Sequence, residues 1–410
     1  MRRQLQTGSR IFKGCRRLEA KYLWPPNRSG REGLRFFATT VQGLEDVSAS
    51  EVKELVGVSA EIDKAKVFFD SAPEGCAVLN YAARTINKVY LLLSIGRFSR
   101  VEEIEKAAGE IDYTGLIERG QSFAVRAKRS GLHSFTSLDV AAAVGRALIE
   151  AYRRATGVRL GVNLDEPDVE LLVTVRDDEY ILGLNTTGDS LHRRYYRARH
   201  HRSSLSPTVA SAMLSIAGWG TNESLLDPFC GSGTIPIEAA LKALRINAGL
   251  RRRGLAMERL VLFDREMVQR VRERLASIEE KPRELSIAGL DTSPRSIEAS
   301  VENLGKAGLD GVVRFMVGDA TRLEKLINWH IDKMVFNPPF GVRMGLRDPE
   351  DFYFRAFESI KRVAPNCRIT FIVSKPVVAQ RALERAGWTP VSERSIVLGP
   401  ITAHIISAEY

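Results

Sequence analysis

Residues 225–244 constrain the fold more than any other stretch of the chain. Leu225 and Leu226 close a short apolar run, Asp227-Pro228-Phe229-Cys230-Gly231-Ser232-Gly233-Thr234 follows, and an apolar helical pattern then runs from about Ile235 to Leu244. Strand, glycine turn, helix is the opening unit of a doubly wound α/β fold, whose ligand crevice lies at the carboxyl ends of the strands. Gly231 and Gly233 let backbone approach a ligand closely. The helix that follows offers unpaired N–H groups at its first turn, and Pro236 falls in that turn, where a missing N–H is of little consequence.

The turn is not built for phosphate. Thr234 stands where a phosphate loop carries its Lys, and Pro236 occupies the last position of the G-x-G-x-x-G dinucleotide pattern. An Asp at the start of the loop repels phosphate and suits a cationic ligand with an amino group. S-adenosylmethionine meets both demands. Pro228, Cys230, Ser232 and Thr234 are candidates for the same cradle as Asp227, Gly231 and Gly233.

Further strand ends follow in order. A run from Leu285 to Leu290 ends at Asp291-Thr292, with Ser293 as the expected N-cap and Pro294 as the first residue of a helix. A carboxylate there can accept both hydroxyls of a ribose. Val312 to Val317 is the next strand, ending at Gly318-Asp319-Ala320, where Asp319 is placed to meet an adenine edge. Taken singly, each of these carboxylates has an ordinary alternative as a cap or turn residue.

The fourth strand, Lys333 to Phe336, runs into Asn337-Pro338-Pro339-Phe340. Two prolines cannot donate to a sheet ladder and hold φ near −65°. The strand end therefore projects an amide side chain, a stiff turn rich in carbonyl acceptors, and an aromatic plane. That set can hold a planar amino group, with the acceptors on its N–H protons and the ring stacked on the base or amide that bears it.

Residues 207–410 thus resemble the class I S-adenosylmethionine-dependent methyltransferases that carry an Asn-Pro-Pro-aromatic motif and modify exocyclic or amide nitrogens. A second resemblance lies upstream. Phe123-Ala124-Val125-Arg126-Ala127-Lys128-Arg129-Ser130-Gly131-Leu132-His133, then Phe135-Thr136-Ser137-Leu138-Asp139, is similar to a THUMP RNA-binding domain. So are Leu182-Gly183-Leu184-Asn185 and Gly188-Asp189-Ser190-Leu191-His192-Arg193-Arg194-Tyr195-Tyr196-Arg197. THUMP, linker, glycine turn, Asn-Pro-Pro-Phe is the order of the archaeal and eukaryotic tRNA guanine-N2 methyltransferases, and of a bacterial relative acting on 23S ribosomal RNA.

The resemblance implies an α/β chain in five parts. These are a basic extension (1–33), a ferredoxin-like domain (34–112), a THUMP domain (113–186), a basic linker (187–206) and a Rossmann-like catalytic domain (207–410). It implies methyl transfer from S-adenosylmethionine to guanosine N2 in RNA, with guanine 6 of the tRNA acceptor stem as first expectation and 23S ribosomal RNA as alternative. Asn337, Pro338, Pro339 and Phe340 are the expected catalytic residues; Asp227, Pro228, Cys230, Gly231, Ser232, Gly233, Thr234, Asp291, Thr292, Asp319 and Ala320 the expected cofactor contacts. A catalytically silent RNA-binding adaptor is the alternative from a different class. Adenine-N6 or glutamine-N5 methylation is a further enzyme reading, because the same motif serves those nitrogens.

Asp227 and Asp291 stand 64 positions apart, against about 20 in a compact nucleotide-binding unit. The excess, about Ile246 to Lys281, contains Arg251-Arg252-Arg253 and a helical pattern from Asp264 to Glu280. This insert looks closer to the ribosomal-RNA branch. It also makes Asp264 a rival for the ribose carboxylate.

The formal charge of +10 is unevenly spread, since residues 1–33 carry +7 and the other 377 only +3. RNA contact has to be argued from local basic stretches. His192 to Arg202 places five arginines and two tyrosines in eleven residues; the arginines are expected on phosphates and the tyrosines on unpaired bases. His192, Arg193, Arg194 and Arg197 are candidates there, and Arg126, Lys128 and Arg129 join them from the THUMP-like strand.

The four cysteines are scattered without metal or disulfide spacing, and no metal is expected. Cys230 lies in the cofactor turn rather than the catalytic loop, which argues against covalent catalysis. No apolar run reaches ~18 residues, so no membrane span is expected. A cytoplasmic monomer is the expectation, although the Arg-rich extension also has the composition of an organelle transit peptide.

Regular elements before the linker are expected at Arg35–Thr40, Lys66–Phe69, Lys88–Leu93, Ser122–Ala127, Val169–Arg176 and Glu179–Asn185 (strands). Helices are expected at Leu44–Leu55, Val78–Lys88, Val101–Ala108 and Ser137–Thr156.

Overall fold

A computed structural model describes residues 33–197, 205–339 and 348–410. Residues 1–32 of the basic extension, residues 198–204 of the linker and Phe340 lie outside the described residues.

The N-terminal half contains β1 (Leu34–Thr39), α1 (Glu45–Val56), β2 (Glu61–Asp63), β3 (Lys66–Ser71), α2 (Pro73–Ala82), β4 (Lys88–Arg97) and α3 (Val101–Gly109). It continues with β5 (Ser122–Ser130), α4 (Ser137–Thr156), β6 (Gly161–Val162), β7 (Val169–Arg176) and β8 (Glu179–Asn185). All eight strands form one sheet in the order β2-β3-β1-β4-β8-β7-β5-β6. The ferredoxin-like and THUMP-like parts are therefore joined by a ladder rather than by a tether. β4 makes the join: Lys88–Leu91 pair with β1, and Tyr90–Arg97 pair with β8. Phe37 stacks on Tyr90 with ring centres 4.9 Å apart. Gly183 leaves room for that stack, since a Cβ there would sit 2.5 Å from the Phe37 ring.

Most expected elements appear within a few residues of their predicted bounds. α4 starts at a capping box between Thr136 and Asp139 and stops at Gly157 in the left-handed region, which satisfies end groups the helix itself cannot pair. α2 is the exception. It runs from Pro73 to Ala82 rather than Val78 to Lys88. Pro73 supplies the pre-set φ of a first helical residue. Beyond Ala82 the backbone N–H groups of Arg84 and Thr85 are taken by the Glu51 carboxylate.

The C-terminal half contains α5 (Pro207–Ile216), β9 (Leu225–Asp227), α6 (Thr234–Ala243), α7 (Arg265–Ser277), β10 (Ile287–Asp291), α8 (Pro294–Lys306) and β11 (Arg314–Val317). Then come β12 (Lys333–Phe336), α9 (Pro349–Val363), β13 (Arg368–Val373), α10 (Pro376–Arg385), β14 (Thr389–Leu398) and β15 (Ile401–Glu409). The sheet order is β11-β10-β9-β12-β13-β15-β14. β9 to β13 run parallel, and β15 enters antiparallel between β13 and β14. The chain reverses its direction of travel across the sheet between β9 and β12, which places the crevice at their carboxyl ends.

The insert between α6 and β10 is a buttress. Leu250, Leu255, Met257, Leu260, Phe263 and Val271 share one apolar core with the N-terminal half. The Met257 N–H donates to Thr186 O at 2.7 Å. Gly249 lies so close to α2 that a Cβ would fall 2.5 Å from Tyr81 backbone. Across the molecule, Val397 N–H bonds Gln42 O at 3.0 Å, and Arg394 pairs with Asp46. The catalytic sheet is thus held by the N-terminal half at two separated places.

No helix among the described residues is long and apolar enough to cross a membrane.

Candidate active site

The glycine turn after β9 is tied to its neighbours by backbone and side-chain bonds. Cys230 N–H donates to Leu290 O at 2.9 Å and prolongs the β10 side of the sheet. Gly231 N–H donates to Asp291 Oδ2 at 3.1 Å. From α8, Ser300 Oγ donates to Gly231 O at 2.8 Å and Asn303 Nδ2 to Ser232 O at 3.0 Å. Both glycines adopt left-handed backbone, with φ of 53° at Gly231 and 79° at Gly233. A Cβ on Gly233 would meet the Phe315 ring at 2.8 Å, whereas one on Gly231 would project into open space. Pro228 and Thr234 are buried within the turn.

Two carboxylates face this turn. Asp227 is 1% exposed, and its Oδ1 accepts from Phe229 N–H at 3.0 Å. Burial pushes its carboxyl well above the ordinary range; the Phe229 bond opposes this, and the nearby Asp291 charge adds to it. Asp291 accepts from Ser293 N–H at 2.9 Å through Oδ1, besides holding Gly231. Neither carboxylate has an ion-pair partner among the described residues. A buried carboxylate beside a half-buried one, without a basic partner, favours a positively charged ligand. Thr292 is exposed beside it. Asp319 caps the short turn that begins at buried Ala320, its Oδ1 accepting from Thr321 N–H at 2.9 Å and Thr321 Oγ1 at 2.8 Å.

At the end of β12, Phe336 lies 5.4 Å from Phe371 and 5.5 Å from Phe229, ring centre to ring centre. This aromatic packing couples the glycine turn to the Asn-Pro-Pro turn. Asn337 Oδ1 is buried with no hydrogen-bond partner among the described residues. Buried acceptors are almost always paired, and this one is left open among the described residues. Pro338 is buried, and Pro339 O accepts from Tyr353 Oη at 2.9 Å.

The profile of the RMKL-like methyltransferase domain matches residues 194–402. The chain belongs to the RMKL-like methyltransferases. The THUMP domain profile matches residues 98–185, and that of the RlmL ferredoxin-like domain residues 35–90. A tRNA (guanine(6)-N2)-methyltransferase of Methanocaldococcus jannaschii is 32% identical over 380 residues, covering 91% of this chain and 99% of the relative. The ribosomal RNA large subunit methyltransferase K/L of Vibrio campbellii is 26% identical over 76% of this chain and 44% of its own length. The crystal structure of TrmN from Thermus thermophilus superposes with a TM-score of 0.69 at 28% identity, covering 92% of this chain and 99% of that one. The protein is an enzyme, with S-adenosylmethionine as its methyl donor and RNA as its partner.

In this methyltransferase the predicted RNA-facing residues divide. Arg126, Lys128 and Arg129 are exposed at the end of β5. Arg126 pairs with Glu170 at 3.3 Å, and Arg129 Nη1 lies 3.0 Å from His133 Nδ1. Arg193 is exposed and paired with Asp189 at 3.1 Å. His192 is half-buried beside Ser190 Oγ at 2.7 Å, and burial together with Arg193 and Arg197 lowers its imidazole below the usual value. Arg197 is half-buried and donates to Leu205 O at 3.0 Å.

Arg194 corrects the expectation. It is buried against Glu238 on α6 and out of reach of RNA phosphate. The two tyrosines beside it are structural as well. Tyr196 Oη donates to Glu238 Oε1 at 2.8 Å, and Tyr195 Oη to Ala307 O at 3.1 Å. The basic hinge is a core element because one buried carboxylate recruits its donors. The signal for this was present: Glu238 stands alone among apolar residues in Thr234-Ile235-Pro236-Ile237-Glu238-Ala239-Ala240-Leu241.

Asp264 is also corrected. Its carboxylate caps α7 by accepting from Met267 N–H at 2.9 Å, on the insert that packs against α2. Cys230 turns its thiol inward, with Cβ against Gly289, and burial next to Asp227 and Asp291 pushes that thiol well up.

Proposed function

We propose that this methyltransferase, acting as a monomer, transfers the methyl group of S-adenosylmethionine to the exocyclic N2 of a guanosine, and that the substrate is guanine 6 in the acceptor stem of tRNA. The observation that carries this reading is the unpaired, buried Oδ1 of Asn337 at a turn whose two prolines offer only carbonyls. The tRNA substrate is supported by the archaeal relative, which matches nearly end to end.

The residues fit the donor. The acidic pair of Asp227 and Asp291 has no cationic partner among the described residues, and the space above Gly231 is open. Asp227 faces the positive end of the donor, Asp291 and Thr292 the ribose, Asp319 and Ala320 the adenine. When bound, the donor supplies an electrophilic methyl on a sulfonium.

The rest is done by the chain. Guanine N2 is a poor nucleophile because its lone pair is delocalised into the ring. Asn337 Oδ1 and the Pro338 carbonyl accept its two N–H protons and favour a pyramidal nitrogen, while Phe340 stacks on the base. Positioning and fixed dipoles are the catalytic contributions. No general base acts before transfer, since the proton leaves from the cationic product. Extruding the base from the stem costs a few kcal/mol, about what stacking returns in part.

The experiment is incubation with labelled donor and total cellular RNA, followed by size fractionation and nucleoside analysis. Label in N2-methylguanosine of tRNA is expected. Label on adenine, or in 23S ribosomal RNA, would replace the substrate. Asn337→Ala should abolish single-turnover methylation at saturating donor, and a rate within about threefold of wild type would remove Asn337 from this role.

A further inference from the structure

Pro338 and Pro339 carry no N–H, so the turn that presents the acceptors cannot be tied down by its own backbone donors. It can be anchored only through its carbonyls or its packing. The structure supplies one such anchor: Tyr353 Oη on α9 donates to Pro339 O at 2.9 Å. The hydroxyl is delivered from a rigid base. Tyr353 is 5% exposed and shares its core with Phe336, Phe357 and Phe371. Its ring centre lies 6.4 Å from Phe357 and 5.9 Å from Phe352. Phe352 in turn lies 5.9 Å from Phe229 in the glycine turn. One helical turn of α9 thus touches both halves of the active site.

We propose that Tyr353 is a positioning residue for methyl transfer, holding the Pro339 carbonyl so that the neighbouring Pro338 carbonyl and Asn337 Oδ1 are aimed together at the amine to be methylated. This rests on the reading of Asn337 and Pro338 as the amine's acceptors. With Pro339 O occupied by a buried donor, the orientation of the Pro339 carbonyl is fixed before substrate arrives, and the ring-locked φ of Pro339 passes that constraint back to the Pro338 carbonyl. Without the hydroxyl, the Pro339 carbonyl is held by packing alone, and the two acceptors lose their common register. Misplacement of about 1 Å at a reacting group can cost up to about a hundredfold in rate. Burial raises the phenol to about 12, so the group remains a donor throughout the working range and does not act as a base.

Tyr353→Phe keeps the ring and removes one oxygen. Single-turnover methylation by the full chain at saturating donor and RNA should fall about tenfold, by the same factor at every pH from about 6 to 9. Affinities for S-adenosylmethionine and RNA should stay within about twofold. Combined with Asn337→Ala, the second substitution should add little, because both act on one constellation. All rates are taken well below each variant's own melting temperature, so that loss of folded protein does not enter. A Tyr353→Phe rate within twofold of wild type, with Asn337→Ala inactive, overturns the role of Tyr353 alone. A loss that tracks weakened donor affinity also overturns it, as that is a structural effect. If Asn337→Ala is itself near wild type, the acceptor reading underneath is what fails.

Discussion

Arg194 and Glu238 meet in the core as a two-pronged ion pair, Nε to Oε1 at 2.9 Å and Nη2 to Oε2 at 3.1 Å, with side chains 2% and 0% exposed. The remaining lone pairs of the carboxylate are met by Tyr196 Oη and by Ser211 Oγ at 2.8 Å. Arg194 Nη1 also donates to Leu191 O at 2.9 Å. The pair joins the segment leaving the THUMP-like sheet to the helix directly behind the glycine turn. The distance from the THUMP-like sheet to the glycine turn is therefore set by a buried contact and not by a flexible tether.

Removing one partner leaves the other charged and buried. Arg194→Ala should destabilise the protein by about 3–5 kcal/mol, measured by denaturant unfolding, whereas exposed Arg193→Ala should stay within about 0.5 kcal/mol. The pair also has a pH signature. Burial raises the Glu238 carboxyl, but the charge and hydrogen bonds of Arg194, with Arg84 and Tyr196, outweigh it and hold the group below the ordinary glutamate value. Its contribution is present above the unfolded value and is lost as pH falls through the lowered one. Glu238→Gln should flatten that acid limb.

Asp227 has the opposite sign. Its raised carboxyl contributes stability that is fully present below the ordinary aspartate value and disappears as pH climbs through the raised one. In the donor-free protein, burial opposes ionisation of this carboxyl. Asp227→Asn should raise its melting temperature by about 2–4 °C and weaken S-adenosylmethionine at least about tenfold. Calorimetric titration and thermal unfolding of the same sample check both halves.

The two glycines of the turn should separate by mechanism. Gly231→Ala incurs the left-handed backbone cost of about 1–2 kcal/mol, with nothing within 4 Å of the new methyl. Gly233→Ala adds a collision with Phe315 and Ser300, for a further penalty of about 1–3 kcal/mol. Thermal unfolding should rank Gly233→Ala below Gly231→Ala. On the proposed reading of the turn, Gly231→Ala should still lose donor affinity, because its methyl enters the space assigned to the donor.

The buried Cys230 thiol stays protonated at neutral pH. Iodoacetamide should leave the methylation rate of the folded enzyme within about twofold, and Cys230→Ala within about threefold. A stoichiometric loss of activity with alkylation of Cys230 would show a reactive thiolate instead.

Lys128 and Arg129 are exposed on the THUMP-like strand. Replacing both with Ala should weaken RNA binding and lower the slope of log affinity against log salt by about 2. Donor affinity measured in parallel should not move.

Much of this was legible in the sequence because it is local. The glycine turn, the capped strand ends at Asp291 and Asp319, and the helix over Ser137–Thr156 all follow from residue types at short spacing. The misreadings share one cause. Arg194, Tyr195 and Tyr196 carry polar atoms that suit RNA or a buried acceptor equally well, and the partners that decide are distant: Glu238 for Arg194 and Tyr196, 44 and 42 positions away, and the Ala307 carbonyl for Tyr195, 112 away. α2 was displaced because Glu51, more than 30 positions upstream, takes the N–H groups that would have prolonged it.

By itself the sequence determined the chemistry on offer: an acidic glycine turn, a proline-stiffened amide, and a basic strand, each readable because its backbone geometry is dictated by neighbours in the chain. Only the tertiary structure decided which polar groups were left to do that chemistry. Burial satisfies Arg194 and Tyr196 internally, yet leaves Asn337 Oδ1 without a partner among the described residues. Pairing of this kind depends on which distant groups folding brings within about 3 Å, and no local pattern encodes that distance.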